Sequence, residues 1–348
     1  MTYRMKKLFF LSVTAFAGLS ISSCKPDLDS FTIDDSTPPA TSIVNPYEGV
    51  DFSTTLRLKA NLHTHTNRSD GNRTADEMIK DYADRAYDIV AITDHENRYH
   101  KNTGFVHISG RKVLVICGSE ITMTHHFNAL FTDQGKAFDL TVKEAMKTEI
   151  KNANSILFLN HPGMHTWFYP IGFYFDLYRT LPKENFIGQE VINGQDAFPI
   201  DKKIWDWVLT DITPSRNVYG FANDDSHSLA ETGYSYNELL VDEFNESKVR
   251  EAIQNGISFF YSKSTVKNPK GALPYIKKVI INPYHLTIEI EAENYSNIEW
   301  ISCGHVVSIE PIIYMNRNSS RNYNLSRYVR FILTGAGGQL FSQPFLIL

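Results

Sequence analysis

The sequence predicts an α/β fold of repeated strand–helix units, followed by a small all-β segment. Three observations predict it. Short apolar runs rich in β-branched residues alternate with helical patterns up to residue 265, two of the helices open with a capping box, and from residue 266 only strand-length runs remain. A hydrophobic content of 42% is enough for a proper core. The net charge of -5, with no basic stripe, gives no electrostatic footprint for nucleic acid, which is therefore not an expected partner.

Taken in order, the chain starts with Arg4, Lys6 and Lys7 ahead of an apolar run at residues 8–19, too short to span a bilayer. Ile21-Ser22-Ser23-Cys24 follows. Small residues before a cleavage point mark an export signal, and a Cys directly after them resembles the lipobox of bacterial lipoproteins. That resemblance implies cleavage before Cys24 and its acylation. Residues 1–23 are thus read as a lipoprotein signal peptide, and the protein as exported and held on a bacterial membrane through lipidated Cys24. Residues 24–50, rich in Asp, Ser, Thr and Pro, read as a flexible tether.

Residues 51–265 form the α/β part. Strands are predicted at 58–62, 89–92, 113–116, 127–131, 156–159, 186–192, 218–221 and 239–241. Thr74-Ala75-Asp76-Glu77 and Thr141-Val142-Lys143-Glu144 are capping boxes, opening helices that reach residues 86 and 153. Further helices are predicted at 204–210 and at 246–255, the latter ended by Gly256. Residues 266–348 read as a sandwich-like β-module, with strands at 275–281, 286–291, 298–302, 328–333 and 339–348. Cys117 and Cys303 lie in or beside apolar runs and read as buried free thiols.

Chemistry-bearing residues follow the strands. His63-Thr64-His65 and Ser69-Asp70-Gly71 come after the first, Thr93-Asp94-His95 after the second and Gly118-Ser119-Glu120 after the third. Asn160-His161-Pro162 and Asn223-Asp224-Asp225-Ser226-His227 follow later ones. In a closed βα barrel those strand ends converge on one face, where loops build the site. Imidazole and carboxylate without thiolate suit Zn, Mn or Fe. On extended backbone, His63 and His65 point to one face, as do Asp225 and His227. Any one of these motifs alone is weak, because isolated His and Glu residues are usually surface or ion-pair residues; the conjunction is specific.

In this order, HxH…SDG, TDH, GSE, NHPG and DxH resemble the PHP (polymerase and histidinol phosphatase) metallohydrolases over residues 58–261. The resemblance implies a distorted seven-stranded, TIM-like β/α barrel with two or three divalent metal ions. It implies that His63, His65, Glu120 and Asp225 hold one ion, that Glu120 bridges to a second completed by His161 and a nearby His, and that Asp70, His95 and His227 hold a third. His125 and His126 compete for the open place; His126 is taken because it immediately precedes a strand, and His125 then faces the opposite side, toward substrate. Asp225 is preferred to Asp224 by its DxH spacing. Asp94 is read as a partner orienting a ligand His. His100, His107, His165, His285 and His305 are read as ordinary polar residues, with pocket lining as the alternative for His165, which follows the His161 loop. The arrangement with a C-terminal β-module is similar to the exported, carbamate-ester-hydrolase-like branch of the family.

The expected activity is hydrolysis of a small-molecule ester, phosphate esters leading, by a metal-bridging hydroxide. Glu120 bridges the ions, His125 protonates the leaving group or the third ion neutralises its charge, and Arg68 and Arg98 clamp the phosphate. The alternatives are carbamate, amide or carboxylic ester hydrolysis at the same centre, and a non-catalytic surface binding protein. Complete ligand motifs argue against the latter.

Overall fold

The computed structural model describes residues 40–96, 103–122, 125–132, 140–151, 155–263, 271–315 and 326–348. The expected signal peptide, Cys24 and Arg98 lie outside them. Among the described residues no helix is long and apolar enough to cross a membrane.

The first half comprises β1 (Ile43–Val44), β2 (Leu56–Asn61), α1 (Ala75–Asp84), β3 (Ile89–Ile92), β4 (Gly104–Ile108), β5 (Arg111–Thr122), β6 (His126–Leu130), α2 (Val142–Ile150) and β7 (Ile156–Leu159). A 3-10 turn (Pro162–His165), α3 (Ile171–Thr180), β8 (Phe186–Asn193), α4 (Asp201–Ile212), β9 (Tyr219–Asn223), β10 (Ser235–Val241), α5 (Glu246–Gln254) and β11 (Ser258–Lys263) follow. The remainder is β12 (Tyr275–Asn282), β13 (Thr287–Glu293), β14 (Asn297–Ser302), β15 (His305–Ser308), β16 (Ile312–Tyr314), β17 (Tyr328–Gly335), β18 (Gly338–Phe341) and β19 (Phe345–Ile347).

Both capping boxes form, with Thr74 and Thr141 accepting from the amides of Glu77 and Glu144; such a cap contributes about 1 kcal/mol. Every residue of β3 and β7 is buried, as apolar strands covered on both faces must be. α3 was not predicted. Its sequence IGFYFDLYRT is rich in aromatic residues of weak helix propensity, and its helical state is set by packing beside α4.

The result is an α/β fold with a large mixed sheet and few helices. β2, β3 and β5 are parallel, β5–β6–β7 antiparallel, and β7–β8–β9 parallel again. The predicted closed seven-stranded barrel is not observed, because the sheet does not close. β10 runs antiparallel to β2 and takes the edge that a closed barrel would offer to the last parallel strand. β5 is also longer than the predicted 113–116. It pairs first with β3 and β4 and then with β6, so Glu120 lies within a strand rather than after one.

Side-chain amides serve the free margin of β9. Asn237 accepts from the Ala222 amide at 3.0 Å and donates to the Ala222 carbonyl at 2.8 Å. Gln343 does the same for Gly220, at 2.9 and 2.8 Å. Asn61 accepts from the Asp224 amide at 2.9 Å, and Asn223 from the Leu62 amide at 3.0 Å. Each group so paired avoids a burial cost of about 1–3 kcal/mol.

The C-terminal strands divide. β12, β13 and β16 form a small sheet of their own, whereas β17, β18 and β19 join the main sheet through β18 and β11. The predicted separate β-module is therefore only partly separate, because an unpaired β11 edge needs a partner. The predicted tether also ends early. Ile43 and Val44 pair with Ile347 and Leu346, and Tyr47 is buried with its hydroxyl accepting from the Gln343 amide at 2.9 Å. A buried bidentate pair, Arg330–Asp206 at 2.8 and 2.7 Å, fastens β17 to α4. Cys117 and Cys303 are buried and unbridged.

Candidate metal centre

The ends of β2, β3, β7 and β9 meet around Glu120. Nε2 of His63 and Nε2 of His65 lie 3.1 Å apart. Each is 3.1 Å from Asp225 Oδ1, and they lie 3.5 and 3.2 Å from Glu120 Oε2. Four ligands held tetrahedrally at about 2.0–2.1 Å from a cation stand about 3.3–3.4 Å from one another. The observed separations match that cage.

The other oxygen of Glu120 faces a second group. Oε1 lies 3.1 Å from His126 Nδ1 and 3.2 Å from His161 Nε2, and accepts from Asn160 at 2.8 Å. A third group surrounds Asp70, whose Oδ2 is 3.2 Å from His95 Nε2 and 3.3 Å from His227 Nε2, with His65 Nδ1 3.4 Å from Oδ1. His95 Nδ1 also lies 3.1 Å from Glu120 Oε2, joining this group to the first.

Fixed neighbours aim these groups. Glu190, buried in β8, sits 2.8 Å from His63 Nδ1; a carboxylate there fixes a proton on Nδ1 and makes Nε2 the nitrogen presented to the cage. Its other oxygen accepts from the amide of His161 at 2.9 Å. The Asp225 carbonyl does the same for His227 Nδ1 at 2.9 Å. Gly71 packs on the backbone of His65 so closely that a Cβ would stand 2.9 Å from it, which accounts for the glycine of the SDG motif. His161 and Asp225 both adopt left-handed backbone, with φ of 26° and 49°, strained conformations of the kind that collect at functional sites.

The centre concentrates opposite charges. Burial opposes ionisation of His63, yet Asp225, Glu120 and Glu190 lift it well above the usual imidazole range. Burial likewise opposes His95 and His161, and the carboxylates beside them raise these to about 10 and about 9. Against burial, His63 and its neighbouring imidazoles hold Glu120 and Asp225 well below the carboxylate range. Asp225 Oδ1, His95 Nδ1, His161 Nδ1 and His165 Nε2 are buried and make no well-aligned hydrogen bond. Unsatisfied imidazole nitrogens and a carboxylate oxygen, set at coordination spacing, fit divalent cations, and these groups could hold them.

Of the predicted ligands, the structure brings together His63, His65, Asp70, His95, Glu120, His126, His161, Asp225 and His227. Asp224 instead points away, accepting from the amides of Tyr234 and Ser235 at 2.8 and 2.9 Å and from the Tyr82 hydroxyl at 3.1 Å. Asp94 does not touch a ligand His directly. It accepts from the Thr66 amide at 2.7 Å and the Ser69 hydroxyl at 2.5 Å, and so fixes the loop between His65 and Asp70.

His125 corrects its expected role. It is fully buried, with Nε2 3.3 Å from the Tyr174 hydroxyl and its ring among Tyr169, Phe173 and Tyr174. It does alternate sides with His126, but its side is filled by the unpredicted α3, so it faces aromatic core rather than substrate. Arg68 is exposed, its amide donating to Thr66. His107, His285 and His305 are exposed, as expected of ordinary polar residues. Sequence reasoning missed Glu190, and placed His165 among the ordinary polar residues with pocket lining as the alternative. A carboxylate beside Gln189 and between the apolar ends of a predicted strand was a readable signal; His165 gave none beyond its spacing from His161.

A sequence model of the PHP domain matches residues 61–298. No curated protein matches the chain. Among solved structures, the chain is similar to a two-domain protein from Bacteroides vulgatus containing a predicted PHP-like metal-dependent phosphoesterase. The identity there is 19% and the TM-score 0.48, with 88% of this chain and 99% of that one covered. It is also similar to the lesion-specific endonuclease PfuEndoQ from Pyrococcus furiosus (16% identity, TM-score 0.43, 57% and 56% covered) and to PsfC from Pseudomonas syringae (11%, 0.40, 57% and 87%). Likenesses this distant carry no argument about chemistry.

Proposed function

The chain belongs to the PHP domain family, and from that premise we propose that it is a metal-dependent hydrolase acting on phosphate esters of small molecules. The observation that carries this reading is the tetrahedral spacing of His63, His65, Glu120 and Asp225, with Glu120 turning its second oxygen to His126 and His161. Divalent cations held by these residues would supply acidified water and neutralise the anionic oxygens of a phosphoryl group. Glu120 ties two cation positions together, Glu190 keeps His63 in its ligating tautomer, and Asp94 fixes the loop that sets His65 and Asp70 beside each other. Adjacent cation positions suit the several charged oxygens of a phosphate ester better than one carbonyl oxygen. The negative net charge supports a small substrate over nucleic acid.

The leader ending at Cys24 supports export and lipid anchoring, and with the C-terminal strands it supports a place in the carbamate-ester-hydrolase-like branch. Hydrolysis of carbamate, amide or carboxylic esters is the second reading, because that branch name and this centre both allow it.

The test is turnover of phosphomonoesters, phosphodiesters, carboxylic esters and carbamates with Mn, Zn or Fe added to metal-free protein. Phosphate-ester hydrolysis is expected, and Glu120→Gln is expected to reduce it at least about 100-fold with the fold intact by circular dichroism. Turnover of carbonyl substrates alone would remove the phosphoesterase reading. An unchanged rate in the variant would remove the centre from the mechanism.

A further inference from the structure

We propose that His165 is a protein ligand of the second cation, joining His126 and His161 to give that ion three imidazoles. The inference rests on the metal-hydrolase reading and deepens it by assigning a ligand that the motif pattern does not contain.

Four observations carry it. One ring nitrogen from each of His126, His161 and His165 lies within 4.8 Å of the other two. The His165 ring stands 4.8 Å from that of His126 and 5.6 Å from that of His161, centre to centre. His165 is only 5% exposed, and its Nε2 is buried with no hydrogen-bond partner. The backbone holds the residue there. From the left-handed His161 the chain turns through Pro162–His165, the Gly163 amide donates to the buried Asp201, and the His165 carbonyl accepts from the amides of Phe168 and Tyr169 at 3.0 Å each.

The adjacent His125 shows what a packing histidine looks like here: Nδ1 is 2.9 Å from the His126 carbonyl and Nε2 3.3 Å from the Tyr174 hydroxyl. His165 lacks such partners at Nε2. One nitrogen of its ring lies within 4.8 Å of a nitrogen of each partner, a looser spacing than the roughly 3.3 Å edge of a closed tetrahedral cage. A nitrogen-rich site of this kind favours Zn, Co, Ni or Fe over Mg or Ca, whereas the cage at His63 and His65 has two carboxylates and is harder in character.

The experiment uses the full chain stripped of metal and titrated with Co²⁺, read by metal content and visible d–d absorption, alongside Zn²⁺ affinity by competition with a chromophoric chelator. Wild type, His165→Ala, His165→Gln and, as a control in the other cage, His63→Ala are compared. The His165 variants are expected to weaken one ion by at least the order of 10–100-fold and change its d–d band. His63→Ala is expected to affect a different ion. Zn²⁺-loaded wild-type crystals, read by anomalous diffraction, are expected to show His165 Nε2 at about 2.0–2.1 Å from an ion. This measurement stands even if a variant fails to fold. If wild type takes up metal but the ion lies out of reach of His165, or the folded variants bind as wild type does, the ligand assignment falls alone. If wild type takes up no metal, the hydrolase reading falls with it.

Discussion

The two oxygens of Glu120 face different sets of imidazoles, so one carboxylate couples neighbouring cation positions. Without cations, the same carboxylates hold protons on the ring nitrogens that must ligate, with His95 raised to about 10 and His161 to about 9. Cation uptake must displace those protons, so affinity is expected to rise with pH up to about 9 to 10 and each binding event to release protons. Calorimetry in buffers of different ionisation enthalpy measures this; binding that is independent of pH between 6 and 9 would contradict it. For the ion-free protein the sign is opposite. Its imidazole–carboxylate pairs contribute stability fully below the unfolded value near 6.5, and that contribution is lost as pH rises through about 9 to 10. The residues that gather around Glu120 were legible because nearly all belong to short motifs after predicted strands. His125 was misread because its surroundings come from α3, distant in sequence. Glu190 was missed, and His165 placed among the ordinary polar residues, because no motif marks them; burial and neighbours make their roles.

At the scale of elements, the margin of β9 is the distinctive feature. Asn237 presents both ends of its amide to Ala222 in the manner of a neighbouring strand. Asn237→Ala is expected to leave the amide and carbonyl of Ala222 buried and unpaired, at a cost of about 1–3 kcal/mol for each group. Urea unfolding would show the loss, and hydrogen exchange would show the Ala222 amide opening faster; unchanged exchange would refute the role. The capped helices α1 and α2 were readable because their signals are local. The order and direction of strands were not. Alternating strands and helices imply parallel pairing, and nothing in the run from residue 113 to residue 131 announces that β5 and β6 fold back on one another.

At the scale of the molecule, β17, β18 and β19 share a sheet with the strands that carry the metal centre. Asp206 and Arg330 are 4% and 2% exposed and tie α4 to β17. Asp206→Ala is expected to destabilise the whole chain by about 3–5 kcal/mol, because it strands a buried guanidinium, whereas replacing both residues by apolar ones of similar volume is expected to recover most of the loss. Melting temperatures of the single and double variants decide it. That pair joins segments 124 positions apart, and neither residue's surroundings suggest it in the linear chain. Hence the boundary predicted at residue 266 followed a change of sequence texture that the packing does not respect.

The open sheet carries a last consequence. His63 extends from the end of β2 and Asp225 from the end of β9, and beyond these strands the backbones meet through a short bridge, Thr64 to Ser226, and a hydrogen bond from the Asn72 amide to the His227 carbonyl at 2.8 Å. A cation clasped by both residues would act as a buckle, drawing together two hems that no ladder stitches. Chelation should therefore do more than silence chemistry. It should lower the melting temperature by on the order of 5 °C, as the loss of an ion held at about 100 times its dissociation constant implies, and speed exchange at residues 222–226 while β12 and β13 keep theirs. A protein that melts identically with and without its ions would have a sheet that needs no buckle.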